Sequence, residues 1–185
     1  MAAMKRAISR LVLKILGWQV VVTQPDYPKC VICVAPHTSN WDFFIGKLAY
    51  LSIGRFAGFM MKKEWFFPPL GALLRSMGGV AVSRDRHTDM VSQLVSIFDS
   101  RERFSIAITP EATRKPNADW KKGFYYIAQG SHVPIVLAYI DYKEKRVGIE
   151  RTFIPTGDVE ADMREIKLYY KDFHALKPEN FVTGL

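Results

Sequence analysis

The segment Pro36-His37-Thr38-Ser39-Asn40-Trp41-Asp42 follows an apolar run and opens a helical pattern. A histidine and a carboxylate placed there can act as a base and its orienter, the carboxylate holding the imidazole in one tautomer and steadying its protonated form. On one continuous helix, residues five apart point roughly 140° apart. Pairing therefore requires His37 on the loop and Asp42 on the first helical turn. The same residues also admit a structural role, because Ser39-x-x-Asp42 has the form of a capping box.

Three further segments carry candidate chemistry. Gly78-Gly79-Val80-Ala81-Val82-Ser83-Arg84 is a short apolar strand that delivers Arg84 at its C-terminal end. Ligands of α/β folds collect at that end of strands, and the arginine fork suits phosphate. The alternative is a solvated strand-end arginine. Thr109-Pro110-Glu111-Ala112-Thr113-Arg114-Lys115 follows another buried strand and could bind hydroxyls and a phosphate together; otherwise it is a polar turn begun by Pro110. Val133-Pro134-Ile135-Val136 opens a strand, where proline is tolerated. Trp120-Lys121-Lys122-Gly123-Phe124 stands before it.

These segments need elements to hold them. Cys30–Ala35, Phe56–Met61, Gly79–Val82, Phe104–Thr109 and Pro134–Ile140 read as strands. Asp42–Leu51, Pro69–Met77, Thr88–Ser100 and Gly123–Gln129 read as helices, with a further strand at Val147–Phe153 and a late helix at Glu160–Leu168. The alternation predicts an α/β fold, a layered αβα single domain on a largely parallel or mixed sheet. Cys30 and Cys33 form a CxxC within one strand. Residues three apart in a strand face opposite ways, so the pair reads as two small core residues rather than a redox or metal motif.

Residues 1–16 read as an amphipathic helix. Met4, Ile8, Leu11 and Ile15 form an apolar stripe, Lys5, Arg6, Arg10 and Lys14 lie off it, and no acidic residue precedes Asp26. Such a helix suits an anionic membrane surface; the competing expectation is a helix packed on the domain with its basic face in water. The expected division is a membrane-association segment at 1–22 and the main domain at 23–185. No run reaches the ~20 apolar residues a spanning helix needs. The net charge of +8 is uneven, with 18 basic against 9 acidic residues up to Pro134 and 8 against 9 beyond it. That field suits phosphate-bearing partners. No recognition-helix, zinc or RNP-type pattern accompanies it, so nucleic acid is not an expected partner.

Taken in order, His37-x4-Asp42, Gly78-x-Val80-Ala81-Val82-x-Arg84, Pro110-Glu111-Ala112-Thr113-Arg114, then Lys121-Lys122-Gly123-Phe124 with Val133-Pro134-Ile135-Val136 resemble the glycerolipid acyltransferase family, the 1-acylglycerol-3-phosphate acyltransferases and their relatives. Met61-Lys62-Lys63-Glu64 resembles that family's Ala-Lys-Lys-Glu segment. The resemblance spans about Val31 to Ala138. It implies that His37 is the general base and Asp42 its orienter, and that a lysophospholipid hydroxyl attacks the thioester of acyl-CoA or acyl-carrier protein directly. That agrees with the lack of a G-x-S-x-G nucleophile elbow. It further implies that Arg84, Glu111, Thr113, Arg114 and Lys62 hold the glycerol phosphate. No cofactor or metal is expected, and the basic N-terminal helix is expected to dock the protein peripherally on the cytoplasmic face of a membrane. Ala112 departs from the Gly usual in the family's third motif; a φ above zero there would cost alanine on the order of 1–2 kcal/mol. Two alternatives remain: a same-fold acyltransferase for a lyso-aminolipid or lipid A precursor, and a catalytically silent lipid-binding protein.

Overall fold

The computed structural model describes residues 2–83 and 89–185. Arg84 lies outside the described residues. Among the described residues, six α-helices flank a sheet of seven strands. The helices are α1 Ala2–Ile15, α2 Trp41–Ile53, α3 Leu70–Ser76, α4 Met90–Asp99, α5 Gly123–Gly130 and α6 Val159–Tyr170. The strands are β1 Gln19–Val22, β2 Lys29–Ala35, β3 Gly58–Lys62, β4 Gly79–Val82, β5 Phe104–Ile108, β6 Ile135–Asp141 and β7 Arg146–Phe153, in the sheet order β1-β7-β6-β2-β5-β3-β4.

The sheet is mixed for a local reason. Tyr142 to Lys145 form the tight turn that returns β7 antiparallel to β6, and every other neighbouring pair is parallel. Parallel strands need crossover helices, which cover both faces. Strand interiors are accordingly apolar on both sides. Along β2, Val31, Cys33 and Ala35 enter the core under α4, α5 and α6. Cys30 and Ile32 enter the opposite core beside Tyr50 and Ile53 of α2. The cysteines are thus free, buried and on opposite faces, as expected. Burial pushes both thiols up, which keeps them inert.

Among the described residues the expected strands and helices all form, with ends moved by a residue or two; the expected helix start at Thr88 lies outside them. β1 is an addition. It pairs with β7, so the expected boundary after residue 22 falls at the end of a sheet strand. Packing decides the orientation of α1. Ser9 and Leu13 are buried against the domain, and Arg6 and Arg10 each donate from Nε to the carbonyl of Ser52 near the C-terminus of α2. Two cations at a helix C-terminus complement its dipole. The apolar stripe therefore turns outward: Met4, Ile8, Leu11 and Ile15 are 62%, 53%, 58% and 74% exposed. The packed alternative had placed that stripe inward and the basic face in water.

Candidate active site

β2 runs into the loop that carries His37, and α2 starts four residues later with Asp42 in its first turn. This is the geometry that pairing required. His37 Nδ1 lies 3.2 Å from Asp42 Oδ2. The same oxygen accepts the backbone N–H groups of Thr38 and Ser39, each at 2.8 Å. Asp42 therefore serves the helix start and the histidine at once, and the two expectations for it are compatible. Its other oxygen, Oδ1, accepts the Tyr142 hydroxyl at 2.6 Å. Burial, and then the carboxylate it faces, push the Tyr142 phenol well above its ordinary value, so it stays a donor. With Nδ1 turned to Asp42, Nε2 is the ring nitrogen left for a substrate proton.

Parallel pairing of β2 with β5 sets Cys33 level with Ile108, so the loops after both strands leave the same edge of the sheet. The loop after β5 brings Glu111, which is only 3% exposed. Its Oε1 accepts the backbone N–H of His37 at 2.8 Å, while Oε2 has no hydrogen-bond partner. Desolvation pushes its carboxyl up to about 7, outweighing the His37 amide that stabilises the anion. Glu111 thus lies beneath the loop rather than on the open cleft. Arg114, from the same loop, points the other way. It donates to Asn40 Oδ1 and lines the cleft with His37 and Asp42.

That cleft has a volume of about 1060 Å³ and is mostly apolar. His37, Asn40, Thr109 and Arg114 stand at its polar end, and Phe43, Gly46, Tyr50 and Phe59 are among the residues lining the α2 side. The remaining expected contacts lie elsewhere. Lys62 ends β3, exposed, and is not part of the cleft wall. Thr113 Oγ1 accepts its own loop's Lys115 N–H at 3.2 Å. Ala112 has φ 56°, so the alanine does occupy the left-handed region.

The family model for Acyltransferase matches residues 19–141. The chain belongs to the Acyltransferase family. It is 27% identical over 105 residues to human 1-acyl-sn-glycerol-3-phosphate acyltransferase beta; the match covers 54% of this chain and 38% of the human protein. The chain thus spans well under half the length of that relative. Its fold resembles the crystal structure of the 1-acyl-sn-glycerophosphate acyltransferase PlsC from Thermotoga maritima, with a TM-score of 0.63 at 18% identity. That likeness covers 92% of this chain and 76% of the Thermotoga chain.

Two residues of this site carried no sequence signal. Tyr142 stands 100 positions from Asp42 and reaches it only because β6 lies next to β2 in the sheet. Lys177, near the C-terminus, donates its backbone N–H to Thr38 Oγ1 at 3.2 Å and so ties a distant segment to the His37 loop. Neither lies within a recognisable local pattern. Among the described residues there is no cluster of three potential metal ligands, and no helix is long and apolar enough to cross a membrane.

Proposed function

We propose that this protein transfers a fatty acyl group from the thioester of acyl-CoA or acyl-carrier protein to the hydroxyl of a lysophosphatidate-type glycerolipid at a membrane surface. The observation that carries the proposal is the His37–Asp42 pair at 3.2 Å, set at the polar end of a large apolar cleft. A base and a lipid-sized apolar space are the two things such a transfer needs in one place.

The chemistry follows from the geometry. The acceptor hydroxyl gives its proton to His37 Nε2 as its oxygen attacks the thioester carbonyl carbon. Asp42 holds the ring and steadies the imidazolium. The tetrahedral intermediate then expels the thiolate, which recovers the proton from His37. Arg114, already aimed by Asn40, is placed to hold the acceptor phosphate, and its fork suits that group. Arg84 is proposed to share the task, with Lys62 and Thr113 further out. The acyl chain occupies the apolar part of the cleft. The outward stripe of α1, with exposed Trp41 and Phe44 at the start of α2, supports docking on the cytoplasmic face of a membrane.

The test is turnover by the purified chain with both donor types and a panel of lysolipids. His37→Ala should leave the fold intact and lower turnover by roughly two or more orders of magnitude. Near-normal turnover by that variant would end the mechanism. Preference for an acceptor without phosphate would end the assignment of Arg114.

A further inference from the structure

We propose that residues 173–182 form a positioning segment of the site, holding Thr38 and Tyr142 so that Asp42 keeps His37 turned for proton transfer; the inference rests on the base role given to His37 above. These residues lie outside the stretch matched by the family model, which ends at residue 141. β7 runs antiparallel to β6 and so ends at the far edge of the sheet. α6 brings the chain back. At its last residue, the Tyr170 hydroxyl donates to the Cys33 carbonyl at 2.7 Å, close to where β2 ends.

From there the segment crosses the strand ends in sheet order. β6, β2 and β5 are neighbours, and the loops that follow them carry Tyr142, Thr38 and Trp120. The His174 carbonyl accepts the Tyr142 backbone N–H at 2.8 Å. Three residues on, the Lys177 N–H donates to Thr38 Oγ1 at 3.2 Å. A 3-10 turn at Pro178–Asn180 comes next, and the Val182 carbonyl then accepts the Trp120 Nε1–H at 2.9 Å. Apolar contacts seat the path between these bonds. The Phe173 ring stacks on Tyr139 with centres 3.9 Å apart, Ala175 is buried, and the Phe181 ring centre lies 6.2 Å from that of Trp120.

The first two bonds converge on Asp42. Thr38 gives a backbone N–H to Oδ2 and Tyr142 gives its hydroxyl to Oδ1, so both oxygens are held by residues that one segment ties. The third bond acts through the loop after β5. Trp120 is followed by Lys121, whose N–H donates to the Pro110 carbonyl at 2.8 Å, beside the Glu111 that accepts the His37 N–H. Thr38 is buried, and loss of its hydroxyl leaves the Lys177 N–H without that partner. If either support turned, the carboxylate would turn with it and carry Oδ2 away from the imidazole. The segment thus acts by orientation, which a proton transfer requires before any charge effect counts.

The experiment compares the intact protein with Thr38→Val and Thr38→Ser. Two quantities are read: steady-state kinetics with one saturated acyl thioester and one lysophosphatidate, and the downfield NMR line of the His37 Nδ1–H, identified by its absence from His37→Gln. Valine keeps the shape of threonine and the backbone N–H to Asp42 but lacks the oxygen that accepts from Lys177. Thr38→Val should lower kcat and kcat/KM together by about tenfold, the size of one buried bond left unmade, and should shift or broaden the His37 line. Thr38→Ser returns the hydroxyl and should recover both. A Thr38→Val protein that melts lower yet keeps the parent's kcat and His37 line shows a structural tie alone and overturns the proposal. If the intact protein transfers no acyl group while Thr38→Val still alters the line, the function proposed above fails and the positioning stands; an unaltered line overturns the positioning in either case. Should Thr38→Val not fold, Phe181→Ala loosens the same segment at a residue that does not line the cleft. Faster exchange of the Lys177 amide must then come with a lower kcat and a changed His37 line, and faster exchange without them overturns the proposal equally.

Discussion

Ala112→Gly isolates the backbone of the loop after β5. Ala112 has φ 56° and an exposed side chain, so its methyl group contributes little packing. An L-residue with a Cβ gives up about 1–2 kcal/mol in the left-handed region, where glycine gives up almost nothing. Against that gain, glycine adds flexibility to the unfolded chain, worth about 0.4–1 kcal/mol. The balance predicts that Ala112→Gly is more stable by about 0.5–1 kcal/mol. For a chain of this size that is a rise in Tm of roughly 1–4 °C. Paired thermal and denaturant unfolding of the two proteins measures it, with the denaturant slope checked for constancy. The relaxed turn should leave Glu111 and Arg114 where they are, so turnover should change less than about threefold. A glycine variant that melts lower than the parent refutes the assignment of backbone strain to Ala112.

Three further outcomes are expected. Tyr142→Phe removes the hydroxyl that fills Asp42 Oδ1, and a hydrogen bond to a charged group is worth about 1.5–3 kcal/mol; kcat should fall about tenfold or more with KM little changed, whereas a purely structural tyrosine would lower Tm alone. Glu111 has its carboxyl raised from 4.5 to about 7, so the native state holds its proton more tightly than the unfolded chain does. Its contribution to stability is therefore greatest below about 4.5 and is lost as pH rises to about 7, a change on the order of 3 kcal/mol; Glu111→Gln should flatten that slope in unfolding experiments across the window, and an unchanged slope would show that Glu111 does not titrate there. Vesicle binding should depend mainly on the apolar stripe of α1, because Arg6 and Arg10 are engaged by Ser52 and only Lys5 and Lys14 of the four cations project freely from the helix. At about 1 kcal/mol each, raising the salt should weaken binding by roughly 30-fold, while Ile8→Asp with Leu11→Asp should abolish it; complete release by salt alone would contradict this.

How much the sequence discloses depends on how far apart the partners lie. The buried strands are legible because both of their faces are apolar, which leaves continuous runs such as Cys30–Ala35. β1 is not, since it is a four-residue edge strand, nowhere fully buried, whose partner β7 begins more than 120 positions later. The His37–Asp42 pair is legible because five residues of loop and helix contain it. Glu111 is identified as a candidate by its motif, yet its bond to the His37 backbone depends on the pairing of β2 with β5. Tyr142 is out of reach altogether.

The same distinction explains why one short loop can serve two purposes. Glu111 points inward to the His37 amide, and Arg114, three residues on, points outward to Asn40 and the cleft. On a helix, residues three apart would share a face. Here the left-handed turn at Ala112 lies between the residue that fixes the histidine and the one that lines the cleft. His37 is consequently gripped twice, at its ring by Asp42 and at its backbone by Glu111. Each grip comes from a different strand's loop, so a displacement of the β5 loop must disturb the proposed base and the proposed phosphate contact together. Coupled losses in kcat and acceptor KM are therefore the signature expected of variants that distort this turn, such as Ala112→Val, in which a β-branched side chain is forced into the left-handed region.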